Sequence, residues 1–283
     1  MSNNTSRVTV ITPGDLDGSG RIKKTGVHFS WKDYDRHYLA EGDSWFSLSD
    51  ILSPSFLYRF GHSVPLKHHT LIVNSSHPGD TLAKMVTRNS STIMHKMLAE
   101  WEWDGILLSA GGNDLIEAAL ASDGILQACA SPASYRDYVA GRAMDDLKDH
   151  LDHHFRYLVS LRDTSKIEAN RAIPIFYHTY GYPVPRNAPA SIAGPWLYKA
   201  FKQNDIHPQF WKELSDALMN ELADLLRGFI SISANLQLVD TLKQVSLDRA
   251  TVDSSGSSGD WLNEIHLNNA GKDKFAQYWA QFL

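Results

Sequence analysis

The chain has 283 residues, 43% of them hydrophobic, which is long and apolar enough for one large α/β domain or two small ones. With 27 Lys and Arg against 32 Asp and Glu, the net charge is −5 at pH 7 and no basic run occurs, so a nucleic-acid partner, whose affinity draws on clustered cations, is disfavoured. The lone Cys129 excludes an internal disulfide, no stretch approaches the roughly 18 apolar residues of a membrane span, and Met1–Arg7 lacks the apolar run of a signal peptide, so a cytoplasmic protein without an integral membrane segment is expected.

Residues 1–35 read as an N-terminal extension. Within it, Asp15–Ile22 imitates the start of an EF-hand calcium loop, but the twelfth position is Gly26, where a bidentate glutamate belongs, so a polar turn is expected. A strand over 36–41 then runs into Gly42-Asp43-Ser44-Trp45. A serine where a strand enters a glycine-containing turn can project its hydroxyl above the sheet edge, where a nucleophile has to be. As a plain turn, the same residues would let Asp43 or Ser44 cap the following helix, expected over 47–60. The next strand, 70–75, leads to a turn at Gly79, and Asp80 or Thr81 opens a helix over 80–100. A third strand, 104–110, is apolar through Ile106-Leu107-Leu108 and ends in Gly111-Gly112-Asn113. Paired glycines let backbone approach a ligand closely, and Asn113 can offer an amide hydrogen to a developing oxyanion.

The segment 118–134 around Cys129 is either a helix-loop connection or a pocket wall. A helix over 135–163 follows, with His150 and His154 one turn apart and Asp152 and His153 nearby; without a third ligand from another segment, this reads as a solvated helix face rather than a metal site. A strand over 173–179 leads into Tyr180–Tyr198, rich in proline and aromatics, too irregular for a regular element and too apolar for a solvated loop, hence a pocket wall or lid. After a helix over 209–234 and a strand over 236–240, Ser254–Gly259 reads as a flexible loop whose mobility would let the next segment move. That segment, Trp261-Leu262-Asn263-Glu264-Ile265-His266, supplies a histidine on a loop just before a terminal helix over 269–282.

Alternating strands and helices predict a parallel sheet covered on both faces, with its ligand site beyond the carboxyl ends of the strands. Ser44, Gly79, Asn113 and His266, in that order and each after or beside a strand end, resemble the SGNH (GDSL-type) hydrolase family from about residue 36 to the C-terminus. The resemblance implies a three-layer α/β/α sandwich, flavodoxin-like, with a central parallel sheet of about five strands. It also implies that Ser44 is the nucleophile, that His266 is its general base, and that the N–H groups of Ser44 and Gly79 with the Asn113 amide form an oxyanion hole. Because these residues must converge on one site, a single domain over 1–283 is expected. The chemistry asks for the same parts: serine is a poor nucleophile at neutral pH and needs a base within about 3 Å, and the mechanism requires no metal or other cofactor.

One position departs from the family. An aspartate normally stands three residues before the histidine, where it fixes the imidazole tautomer and stabilises the imidazolium; here it is Asn263. An amide oxygen could still orient the ring but brings no charge. Asp260, six residues before the histidine, and a backbone carbonyl are the alternatives, while the spacing of Glu264 fits neither role. The function expected is a serine hydrolase acting on an ester or thioester, with acyl transfer or a non-catalytic binding module as the other readings. Trp45 and Trp196 suit a small-molecule or lipid-like acyl ester substrate, unless those rings complete the core or a subunit interface. No sequence feature sets the oligomeric state.

Overall fold

A computed structural model describes residues 7–23, 29–47, 55–87, 89–191 and 193–283. The strands are β1 (Val8–Ile11), β2 (Arg21–Ile22), β3 (Phe29–Ser30), β4 (Arg36–Gly42), β5 (Thr70–Asn74), β6 (Gly105–Ser109), β7 (Ile175–His178) and β8 (Leu236–Val239). Six of them form one sheet, in the order β1-β5-β4-β6-β7-β8, and every pairing in it is parallel. The remaining two, β2 and β3, form a small antiparallel pair. The helices among the described residues are α1 (Leu82–Thr87), α2 (Asn89–Glu100), α3 (Gly112–Leu120), α4 (Gly141–Asp163), α5 (Leu197–Gln203), α6 (Trp211–Gly228), α7 (Thr241–Gln244) and α8 (Asn269–Trp279).

Side-chain alternation along the strands makes the three layers. Leu39, Leu71, Val73, Ile106, Leu108 and Tyr177 face one core, shared with Leu151 and Phe155 of α4 and Leu214, Leu218 and Leu222 of α6. The intervening Tyr38, Ala40, Ile72, Leu107 and Phe176 face a second core with Phe46, Phe56 and, from α8, Phe275 and Trp279. Strands buried on both faces carry apolar residues at consecutive positions, which is why the inner strands read so clearly in the sequence.

The five expected strands are present, and Val8–Ile11, in the stretch read as an extension, adds a sixth at the sheet edge, paired with β5. Its four residues are too few for a period to declare itself. Of the helix expected over 47–60, residues 48–54 lie outside the described residues and Phe56–Arg59 form a 3-10 turn. The stretch 80–100 carries two helices, α1 and α2, and the stretch 135–163 begins with a separate 3-10 turn, Tyr135–Tyr138, before α4. The short helices α3, α5 and α7 were not expected. In the calcium-loop mimic, Asp17 Oδ1 accepts hydrogen bonds from the Ser19 and Arg21 N–H groups, forming a local turn, and Gly26 lies outside the described residues. No helix among the described residues is long and apolar enough to cross a membrane.

The order of strands locates the site. From β4 the chain moves outward to β5, then crosses to β6 on the other flank of β4, so the direction of winding reverses at the carboxyl end of β4. Loops diverge at such a point and leave a crevice. Gly42 ends β4 there.

Candidate active site

The turn after β4 is fixed by a close approach to β6. A Cβ at position 42 would lie 2.6 Å from the Ser109 carbonyl oxygen, so only glycine fits, and the next N–H, of Asp43, donates to that carbonyl at 3.0 Å. The Asp43 carboxyl is buried and accepts the Trp45 N–H at 2.9 Å, while Phe46 and Ser47 donate back to the Asp43 carbonyl; residues 48–54 of the helix it is expected to cap lie outside the described residues. Ser44, partly exposed, is thereby held at the head of the turn.

His266 reaches the same place from the loop before α8. Its Nε2 lies 2.7 Å from Ser44 Oγ, and its Nδ1 lies 3.1 Å from Asn263 Oδ1. The same Asn263 oxygen accepts the N–H groups of Ile265 at 3.1 Å and His266 at 2.9 Å. The two backbone N–H groups identify that atom as the amide oxygen, which can only accept, so the ring carries its hydrogen on Nδ1 and turns the Nε2 lone pair to the serine. Asn263 Oδ1 is thus the atom that faces His266 Nδ1. Asp260 is engaged elsewhere: its Oδ2 accepts the Asp248 N–H and the Lys274 ammonium, each at 2.6 Å.

Glycine at 79 has φ +75° with open space around it, a left-handed turn that presents backbone to the cavity. Asn113, in the first turn of α3, donates from its amide to the Asp80 carbonyl at 3.0 Å, leaving the amide's second hydrogen for a ligand. Next to it, the buried Asp114 carboxyl accepts the Leu82 N–H at 3.0 Å and caps α1. Burial pushes Asp114 up to about 7. Two consecutive side chains of α3 thus clamp the 79–82 turn.

Ser44, Gly79, Asn113 and His266 all line one cavity of about 280 Å³, whose remaining walls are mostly apolar, including Trp45, Phe56, Ala190, Trp196 and Ile265. A smaller hollow of about 40 Å³ adjoins it between Ser44, Asn113, Tyr180 and Met219. The Tyr180–Tyr198 stretch does form a wall, with the Trp196 ring edge-on to His266 at 5.4 Å between centroids. No residue of 118–134 lines either cavity. On α4, the tilted rings of His150 and His154 lie with centroids 4.2 Å apart, and His150 Nε2 lies 3.8 Å from buried Asp114, so this face is turned partly towards α3 rather than wholly to solvent.

The loop read as flexible is strapped down. Buried Arg186 donates through Nη1 to the carbonyls of Ser254 at 2.8 Å and Gly256 at 2.6 Å, and through Nη2 to that of Asn263 at 2.7 Å. Glu264, whose spacing suggested no role, accepts the N–H groups of Arg186, Trp196 and Tyr198, which ties the histidine loop to the pocket wall. Its burial pushes the carboxyl up to about 7.

Beneath the serine turn lies a polar set that the sequence reading missed. Tyr180 donates its hydroxyl to Asp43 Oδ2 at 2.6 Å, Ser109 Oγ lies 2.7 Å from Asp43 Oδ1, and His178 Nε2 lies 2.9 Å from Ser109 Oγ. Nδ1 of His178 lies 2.6 Å from the Thr179 carbonyl oxygen. The available signal was the polar residue closing each apolar strand, Ser109 after Ile106-Leu107-Leu108 and His178 after Ile175-Phe176-Tyr177.

No protein-family model and no curated protein matches the sequence. Solved structures do match the fold. A protein from Chitinophaga pinensis DSM 2588, described as a possible lipase, is 13% identical, with 87% of this chain and 96% of that one covered at a TM-score of 0.53. The lipase Lip_vut3 from a goat rumen metagenome is 14% identical, with 87% and 96% covered at a TM-score of 0.52. The chain therefore has the fold of these proteins, a parallel α/β/α sandwich.

Proposed function

We propose that the protein is a serine hydrolase that cleaves a carboxylic ester or thioester through an acyl-enzyme on Ser44. The observation that carries this reading is the 2.7 Å contact between Ser44 Oγ and His266 Nε2, made by a ring whose other nitrogen is held on Asn263. As Oγ attacks the carbonyl carbon, Nε2 takes its proton, then delivers that proton to the departing alcohol or thiol; a water activated by the same nitrogen releases the acid. Charge on the former carbonyl oxygen is met by the N–H groups of Ser44 and Gly79 and the second amide hydrogen of Asn113. The apolar lining of the 280 Å³ cavity supports an acyl chain or another apolar ester group. Acyl transfer uses the same site and differs only in whether water or an alcohol reaches the acyl-enzyme.

The neutral Asn263 supports a second reading, a binding module in which the imidazolium gains no counter-charge and turnover has been lost. A fluorophosphonate probe separates the two. The hydrolase predicts covalent labelling of the wild type and none of Ser44→Ala; unlabelled, correctly folded wild type would leave the binding module. A panel of esters and thioesters of graded acyl length then reads the substrate, and a sharp preference for acetylated sugars would overturn the apolar-pocket assignment.

A further inference from the structure

The buried chain from Asp43 to Thr179 contains four polar contacts and, if Asp43 is ionised and His178 is neutral, only three hydrogens to fill them. Tyr180, Ser109 and the imidazole bring one each. The Tyr180 hydrogen serves Asp43 Oδ2. The Thr179 carbonyl can only accept, so the 2.6 Å contact takes the imidazole hydrogen on Nδ1 and leaves Nε2 as a lone pair. Ser109 then has one hydrogen for two acceptors, Nε2 at 2.9 Å and Asp43 Oδ1 at 2.7 Å. A fourth hydrogen is required, or two lone pairs face each other in a site where Asp43, Ser109 and His178 are all buried.

We infer that Asp43 is a neutral carboxylic acid that donates to Ser109, that Ser109 donates to His178 and His178 to the Thr179 carbonyl, and that His178 thereby acts as a positioning residue for the serine turn. The alternative placement of the fourth hydrogen, an imidazolium with a carboxylate, is opposed by the surroundings. The rings of Trp45, Phe46, Phe56, Tyr180, Phe275 and Trp279 all lie within 6.1 Å of the His178 ring, centroid to centroid, and burial pulls this histidine down to about 4. Burial also pushes Asp43 up, to about 6, and losing its proton would in addition break the chain at Ser109, which holds the acid form to higher pH still. The other titratable groups facing the chain are Tyr180, Asp114 at the start of α3, His266 across Ser44, and Asp240, whose Oδ1 accepts from Thr179 Oγ1 at 3.1 Å and is paired with Arg227.

The consequence for catalysis rests on the hydrolase reading. Asp43 directly precedes Ser44, so a carboxylate there would repel the charge that forms on the substrate oxygen, whereas the acid does not. Keeping position 43 neutral removes that penalty, at the cost of a weaker acceptor for the Trp45 N–H, which points at the same Oδ1.

Two measurements test the inference, and the first is independent of activity. In wild-type protein with nitrogen-15-labelled histidine, His178, assigned by its loss in His178→Phe, is expected as a neutral ring with hydrogen on Nδ1. Infrared spectra should show a protonated carboxyl band that Asp43→Asn removes at about pH 7. An imidazolium spectrum, a hydrogen on Nε2, or no protonated carboxyl at Asp43 would overturn the assignment, whereas failure of the hydrolase reading would leave these spectra unchanged and appear only as absent fluorophosphonate labelling. The second uses His178→Phe, which fills the aromatic cage and lets Ser109 donate to Asp43, allowing that carboxyl to ionise. Its kcat should fall roughly 10- to 50-fold relative to wild type at about pH 8, with KM little changed, and markedly less at about pH 6, where Asp43 takes its proton back. An equal loss at both pH values means packing alone and overturns the positioning role; should the variant not fold, the infrared band that Asp43→Asn removes decides.

Discussion

The two halves of the proposed catalytic pair are held by different means. Ser44 leaves a central strand, and its turn is anchored by backbone bonds to Ser109 and by a buried carboxyl beneath it. His266 sits on a loop outside the main sheet, anchored by buried ionisable side chains: Arg186 on three carbonyls, Glu264 on three N–H groups, and Asp260 on Lys274. A sheet position is set by many weak, redundant bonds, whereas a strapped loop depends on a few strong ones. Loss of a single strap should therefore displace the proposed base more readily than loss of a single backbone bond displaces the serine.

The largest effects test the pair itself. Ser44→Ala and His266→Ala should each lower kcat by about 10⁴-fold or more, and the double variant little further, because the two act as one unit. Independent, multiplying losses in steady-state kinetics would mean that they do not work together. Asn113→Ala should cost roughly 10²- to 10³-fold in kcat with KM nearly unchanged, since its amide hydrogen is needed most when charge develops. A loss confined to KM would instead place Asn113 in substrate binding.

The contrast between anchors is sharpened by Arg186→Met. It strips three carbonyls of their donor, so thermal unfolding should report a loss of about 3 kcal/mol, and kcat should fall roughly 10-fold or more as the histidine loop loosens. A stability loss with unchanged kcat would show that the loop keeps its geometry without its strap.

Stability should also depend on pH through the buried carboxyls. Burial raises Glu41 from 4.5 to about 8, Asp114 from 3.8 to about 7 and Glu264 from 4.5 to about 7. The folded chain thus binds more protons than the unfolded chain across that window, and the stability present at lower pH is lost as pH climbs through the folded values. His178 and His150, both lowered from 6.5, work in the opposite direction only below that value. Tm should therefore fall between about pH 6.5 and 8. Glu41→Gln, at the end of β4, should flatten this slope more than Glu264→Gln, in the histidine loop, because Glu41 releases its proton later. The smallest effect concerns the base's partner: Asn263→Asp should raise kcat a few-fold by giving the imidazolium a counter-charge, and its pH–rate profile should show a higher ascending pKa.

The sequence made the serine half the more legible of the two. Continuous apolar runs bounded by glycines declare the inner strands, and the residues at their ends, Ser44, Gly79 and Asn113, fall where topology opens a crevice. The edge strand Val8–Ile11 escaped because four residues carry little pattern, and the break between α1 and α2 because no Gly or Pro falls within 80–100 to mark it. Asn263 was readable from its offset to His266, yet its advantage over Asp260 was not: the choice depends on which side chain the chain 248–274 turns inward, and Lys274 draws Asp260 away. Arg186 and Glu264 were illegible for a related reason. Their partners are backbone atoms 66 to 78 residues distant, and a backbone atom leaves no mark on residue identity.

The bond from Glu264 to the N–H groups of Trp196 and Tyr198 joins the gauge of the pocket to its reagent. Trp196 borders the space a substrate must occupy, and the residue that grips its peptide stands two positions from the imidazole. On the hydrolase reading, a guest too bulky for the cavity, in forcing that indole outward, should drag on the stretch of chain that carries His266 and spoil its alignment with Oγ. Size selection and reactivity are in this way a single mechanical property of the wall.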